Sequence, residues 1–140
     1  MIDIRDMKFV PAYKPEDCDR LIVEAVEKGD LETSVALYEP EAVLFAGPNE
    51  LLKGQDAIRK QNEKGIAAKT KFQIHDIKTT MSGDGTIAIT RMKITTIDVD
   101  PKTGKEVRNL VNTEEVVRKQ PDGTWRFIID DPFGGNRANM

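Results

Sequence analysis

The chain has 140 residues, 39% of them apolar and 32% charged, and its 21 Lys and Arg against 24 Asp and Glu leave a net charge of -3. A chain of that length fits one domain and buries roughly 70% of the surface its unfolded form exposes. Charges of both signs are spread along it without a basic stripe, which excludes a phosphate-backbone partner; no apolar run approaches the ~20 residues of a membrane span. Residues 1–8 have neither the charge order nor the apolar block of a secretion signal, so the expectation is a cytoplasmic protein with no nucleic-acid or membrane partner.

Cys18 is the only cysteine and His75 the only histidine. One of each leaves no internal disulfide and no imidazole or thiolate metal site within one chain, so no metal and no cofactor is expected. Cys18 falls in an apolar helical stripe, where a cysteine is a small core residue rather than a nucleophile.

Pro15, Glu16 and Asp17 suit the first turn of a helix, after which Cys18, Leu21, Ile22, Ala25 and Val26 recur at helical spacing until Gly29. Asp30 is a natural N-cap for a short second helix bearing Leu31, Val35 and Tyr38 and ended by Pro40. Residues 42–45 read as a strand, 47–50 as a turn and 51–53 as a short return, giving a small hairpin. A third helix is expected over about 55–67. Its apolar face is thin, because Ile58 is followed at helical steps by Gln61, Asn62 and Gly65, so it should cover a sheet edge or a polar cavity.

Three turn signals follow, at residues 82–85, 100–104 and 120–123. They separate strands near 71–81, 86–98, 105–119 and 124–131, and the short connections make these an antiparallel meander. In the first of them the apolar phase runs Phe72, Ile74 and then Ile77, Thr79, slipping at His75-Asp76; in the second it runs Ile87, Ile89 and then Met92, Ile94, slipping near Thr90-Arg91. Side chains alternate faces along a strand, so each slip implies a bulge or a change of environment, and both imply a curved sheet.

The segments Gly29-Asp30-Leu31-Glu32, Tyr38-Glu39-Pro40-Glu41-Ala42-Val43, Gly54-Gln55-Asp56-Ala57-Ile58 and Asp122-Gly123-Thr124-Trp125-Arg126-Phe127, in this order and spacing, resemble the nuclear transport factor 2-like superfamily and within it the SnoaL-like, ketosteroid-isomerase-like group. The resemblance implies a cystatin-like α+β cone in which N-terminal helices close a strongly curved antiparallel sheet around a pocket. It covers about 15–132, leaving an N-terminal arm over 1–14 and a frayed tail over 133–140. It also implies chemistry of the isomerase, cyclase or dehydratase kind. Steroid isomerases of this fold carry their base on the strand after the second helix; here that segment is Val43-Leu44-Phe45-Ala46, with no Asp or Glu, which argues against their mechanism.

Cyclase-like relatives place an acid near the end of the last strand, where Asp130 and Asp131 are the residues that fit. On a regular strand their side chains point to opposite faces. Trp125, Phe127 and Ile129 would then share a face with Asp131, and Arg126 and Ile128 with Asp130. If the aromatic face lines the pocket, Asp131 is the acid; if that face packs under the third helix, Asp130 is. An Asp before Pro132 also commonly just ends a strand in water. His75, at its phase slip, is either a general acid or base aimed into the cavity or a rim residue.

The ligand-binding candidates are Tyr38, Phe45, Gln61, Arg91, Glu115 and Trp125. Tyr38 offers a hydroxyl to a ligand or simply fills the core. Arg91 and Glu115 stand among apolar strand neighbours, either paired inside the pocket or on an outer face. Trp125 is first of all a packing residue. Both faces of the long strands are partly apolar, as expected of a homodimer whose partner covers one of them. Two functional readings follow: a pocket binding a small apolar or mixed-polarity molecule and acting by cofactor-independent acid–base chemistry, or a non-catalytic association module with a vestigial pocket.

Overall fold

The computed structural model describes residues 9–137. Helix α1 spans Pro15–Lys28, with Pro15 at its start and Glu16 and Asp17 in its first turn, where acids complement the helix dipole. Gly29 ends it at φ +75°, a conformation that costs a residue with a Cβ, and the Asp30 N–H then donates to the Ala25 carbonyl at 2.8 Å. Asp30 caps helix α2 (Leu31–Ala36) by accepting from the Thr33 N–H at 3.1 Å and the Thr33 hydroxyl at 2.7 Å.

Here the chain departs from the expected helix to Pro40. The Leu37 carbonyl accepts from the Phe127 N–H at 2.7 Å, which pulls the chain into the sheet, so Tyr38 opens strand β1 (Tyr38–Gly47) instead of closing a helix. Pro40, which has no N–H to give, falls in the gap of the ladder between Tyr38 and Val43. Strand β2 (Glu50–Lys53) returns from β1, and helix α3 spans Gln55–Ala67 with Ile58 and Asn62 buried.

Strands β3 (Lys71–Met81), β4 (Ile87–Val99), β5 (Glu106–Asn112), β6 (Glu114–Lys119) and β7 (Trp125–Asp131) complete a seven-stranded sheet. Its order is β2-β1-β7-β6-β4-β3, with β5 beside the far half of β4. The expected α+β architecture stands, with one pairing the turn signals do not encode: β1 runs parallel to β7, so the sheet is mixed. The strand expected over 105–119 is broken at Thr113. Its hydroxyl accepts from the Met92 N–H at 3.2 Å in place of a backbone carbonyl, and its own N–H donates to the Met92 carbonyl at 2.9 Å.

The phase slips are resolved one by one. His75 is the extra residue of a bulge, since Ile74 faces Ile94 and Asp76 faces Lys93. Strand β4 does not slip: Ala88, Thr90, Met92 and Ile94 all point inward, and Thr90 is fully buried among them. An unforeseen bulge lies in β7, where Val117 faces Phe127 and Val116 faces Ile129, leaving Ile128 unmatched. The core gathers Cys18, Leu37, Ile58, Val117 and Trp125 around Tyr38 and Phe127, whose rings lie 5.0 Å apart at 35°. Burying the Phe127 side chain alone is worth about 2–3 kcal/mol.

Residues 1–8 of the expected N-terminal arm lie outside the described residues; within them Ala12 is buried and accepts from the Trp125 N–H at 2.8 Å. Of the tail expected to fray, residues 138–140 also lie outside, while Arg137 is held to Asp131 by an Nε–Oδ2 contact of 2.7 Å. Among the described residues no helix is long and apolar enough to cross a membrane.

Candidate functional site

The register of the sheet lines up one row of residues across five strands. Leu44 of β1 faces Asp130 of β7, Asp130 faces Glu115 of β6, Glu115 faces Thr90 of β4, and Thr90 faces Thr79 of β3. The bulge at Ile128 determines what this row presents. By shifting the alternation one place, it turns Phe127 and Asp130 to the same inner face and leaves Ile129 outside, 39% exposed. Asp130 and Glu115 are therefore buried side by side under the helices, at 7% and 3% exposure.

They line a cavity of about 320 Å³ between the inner sheet face and helices α1 and α3. Its walls are mainly apolar, with Val26, Leu44, Phe45, Phe72, Ile94 and Phe133 among them, and its polar lining includes Tyr38, Gln61, Asn62 and Thr113. Asn62 is fixed by donating to the Ser34 hydroxyl at 3.0 Å, and Ser34 in turn donates to the Leu31 carbonyl. A larger depression of about 460 Å³ lies elsewhere, lined by Asp76, Lys78, Arg91, Lys93 and Glu114. Asp76, Lys78, Arg91 and Lys93 are exposed there, and Arg91 pairs with Glu114 at 3.2 Å, so these charges are not the desolvated groups that mark a chemical site.

The electrostatics of the smaller cavity follow from burial. The Tyr38 hydroxyl donates to Asp130 at 2.5 Å. Burial pushes the Asp130 carboxyl up to about 6, the Tyr38 bond pulls it down, and Asp131 adds a small rise. Glu115 is raised well above the usual carboxylate range by burial and then by Asp19 and Asp130, against hydrogen bonds to Thr113 and Thr90. Tyr38 is raised well above 10 by burial and the Asp130 charge, so it stays a donor. Burial thus raises both neighbouring carboxyls above the usual carboxylate range.

Behind this pair stands Asp19 of α1, wholly inaccessible to solvent. Neither of its carboxyl oxygens has a partner at hydrogen-bond geometry, and burial lifts it to about 7, with Thr90 close enough to offset part of the rise and Asp130 adding to it. Asp19 lies four residues after Pro15 and three before Ile22, on the stripe that Cys18 and Ala25 also occupy, so an acid there had to be buried.

The other candidates separate cleanly. Phe45, Gln61 and Tyr38 line the cavity with Glu115 and Asp130. Asp131 points away, accepting from the Phe133 N–H at 3.0 Å and bound to Arg137. The aromatic face of β7 is the core, but the bulge takes Asp131 off it, which is why the even alternation assumed from the sequence assigned the wrong partner faces. His75 is exposed, its Nε2 2.6 Å from the Thr95 hydroxyl, because the bulge turns it outward rather than into the cone. Arg91 is exposed and pairs with Glu114, not with the inward Glu115, because residues one apart on a strand face opposite ways. Trp125 is buried away from the cavity in the core. Cys18 is buried too, and its thiol is pushed up by burial and the neighbouring Asp19.

Comparison with known proteins agrees with the fold. The model of the SnoaL-like domain family matches residues 20–128. A search of curated proteins finds no match. Among solved structures, a candidate scytalone dehydratase from Novosphingobium aromaticivorans superposes with a TM-score of 0.71 at 21% identity, over 82% of this chain and 77% of that one. A candidate dehydratase of the nuclear transport factor 2-like family from Streptomyces avermitilis gives 0.70 at 20% identity, over 81% and 88%. A candidate calcium/calmodulin-dependent protein kinase II association domain from Xanthomonas campestris gives 0.69 at 23% identity, over 81% and 79%. At such identities these neighbours establish the fold alone.

Proposed function

Because the chain belongs to the SnoaL-like domain family, we propose that it binds a small, largely apolar molecule in the cavity and moves a proton on it, by chemistry of the isomerase or dehydratase kind. The observation that carries this reading is the pair of buried carboxyls, Asp130 with its Tyr38 donor and Glu115 beside it, in the wall of a mainly apolar cavity. Above about pH 6 Asp130 is a carboxylate able to take a proton from a carbon next to a carbonyl. Glu115, whose carboxyl burial raises above the usual range, can hold a proton and give it to an enolate oxygen or a departing hydroxyl. Tyr38 orients Asp130, while Phe45 and Gln61 bound the ligand. In this account Asp131 and His75 take no part in the chemistry, and the chain's own groups suffice for it.

The names of the two dehydratase-like neighbours are consistent with elimination, in which Asp130 takes the carbon-bound proton and Glu115 protonates the leaving hydroxyl. We also place a homodimer contact on the outer sheet face, where Val43, Ile129, Val116 and Ile89 form an apolar row across four strands. The site is tested by incubating the protein with a set of small cyclic ketones and β-hydroxyketones in D₂O and following α-proton loss or alkene formation by NMR. Exchange or elimination that wild type and Asp131→Asn catalyse and Asp130→Asn does not is the expected result. Equal rates in wild type and Asp130→Asn would refute the role of Asp130.

A further inference from the structure

We propose that Asn62 reads a hydroxyl on the ligand, so that the cavity selects a molecule with two polar ends: the reacting group at Asp130 and Glu115, and a neutral hydroxyl at the helical wall. The inference rests on the cavity being the ligand site described above. Asn62 stands one helical turn after Ile58 on the buried face of α3, is 7% exposed, and lines the cavity. A carboxamide in that position costs free energy wherever its polar atoms are left unbonded, a cost that an apolar residue packing α3 onto the sheet does not carry.

Half of the carboxamide is accounted for. The Ser34 hydroxyl has one hydrogen and gives it to the Leu31 carbonyl at 2.7 Å, so toward Asn62 it can only accept. That fixes the amide: Nδ2 donates to the Ser34 Oγ at 3.0 Å, and Oδ1 is the atom left over. Oδ1 has no donor among the described residues. The result is an acceptor held in one orientation in the wall of a mainly apolar cavity, and a ligand hydrogen is what satisfies it. Gln61, its neighbour on the helix, also lines the cavity and brings a second carboxamide with both a donor and an acceptor. A hydroxyl can give its hydrogen to Asn62 Oδ1 and accept one from Gln61, whereas an ether or a ketone can only accept. These two amides are on α3, while Glu115 and Asp130 are on β6 and β7, so the second polar group is read by a different wall from the first.

The test is isothermal titration of the full chain, near neutral pH, with acetophenone, para-hydroxyacetophenone and para-methoxyacetophenone, which share a ketone at one end of an apolar ring and differ at the other. We expect the hydroxyl compound to bind about tenfold more tightly than either of the others, the gain of one hydrogen bond to a desolvated acceptor. What is compared is the ratio of affinities within each protein. In Asn62→Leu, which removes the carboxamide at similar size, the hydroxyl-to-methoxy ratio should fall to unity. A hydroxyl preference that survives in that variant belongs to another group and overturns the assignment. Ser34→Ala keeps the carboxamide but frees it to turn, and it serves where Asn62→Leu does not fold. There the ratio should fall by about threefold, and a ratio as high as in wild type overturns the proposal. Equal binding of the three compounds by wild type would overturn the selection and leave the cavity reading intact. No binding by any of them at millimolar concentration would overturn both.

Discussion

Replacing Asp19 by Asn tests the buried acid that has no partner. Wild-type Asp19 is lifted from 3.8 to about 7 in the folded chain, chiefly by burial. Between those values the folded state holds a proton that the unfolded state has lost, so stability is full below about pH 4, falls as pH rises through about 7, and levels off above. A rise of that size, at about 1.4 kcal/mol per pH unit, places a ceiling of about 4 kcal/mol on the loss. Because Asp19, Glu115 and Asp130 repel one another and exchange protons as a group, about half of that is expected for Asp19 itself. Asn is nearly isosteric and cannot ionise. Urea denaturation should therefore find Asp19→Asn within about 1 kcal/mol of wild type near pH 4, and more stable by about 2 kcal/mol or more near pH 8. Two stability curves that run parallel from pH 4 to pH 8 would show that Asp19 carries no buried charge and would refute the reasoning.

Tyr38→Phe removes the 2.5 Å donor from Asp130, and since that bond holds the carboxyl down, the Asp130 titration should move up and about 1–3 kcal/mol of stability should go above pH 6; an unmoved titration contradicts the pairing. Gly135→Ala would bring a methyl to 2.6 Å from Asn112 Cβ and 2.7 Å from the Asn112 carbonyl oxygen, so backbone must shift. Faster amide exchange over residues 131–137 and a loss of about 1–3 kcal/mol are expected, and wild-type exchange there would count against the tight packing. Light scattering at micromolar concentration should return a dimer mass, and Ile129→Lys, on the outer apolar row, a monomer mass; a wild-type monomer removes the proposed contact.

How much the sequence revealed depends on the range of the interaction concerned. Local signals were sound: Pro15, Gly29 and Asp30 start, stop and restart helices as their chemistry demands, and the bulge at His75 was visible because apolar residues on both sides of it keep strict alternation. Long-range pairings left no such trace. Tyr38 reads as helical from Leu31 and Val35, and only the parallel pairing of β1 with β7 makes it a strand residue. Thr90 broke an apolar pattern in β4 and so suggested a slip, whereas it is an inward residue whose hydroxyl lies 3.4 Å from Glu115. At the site itself, the segment carrying the acid was legible but its orientation was not. The run Trp125 to Asp131 is apolar at four of its seven positions, so its composition cannot show where one extra residue enters. That extra residue, Ile128, decides that Asp130 and not Asp131 faces the cavity. Asp19 shares its helical stripe with Pro15, Cys18 and Ala25, so its burial follows from its position although its charge alone points to water.

The central claim is that Asp130 and Glu115 sit desolvated in the cavity wall with both carboxyls raised above their usual range. Carbon-13 NMR of the side-chain carboxyls, followed from about pH 3 to about pH 9, reads this directly. Asp130 should titrate near 6 and Glu115 above its usual range, each in a curve broadened by the other. Asp130 and Glu115 both titrating independently near 4 would contradict it.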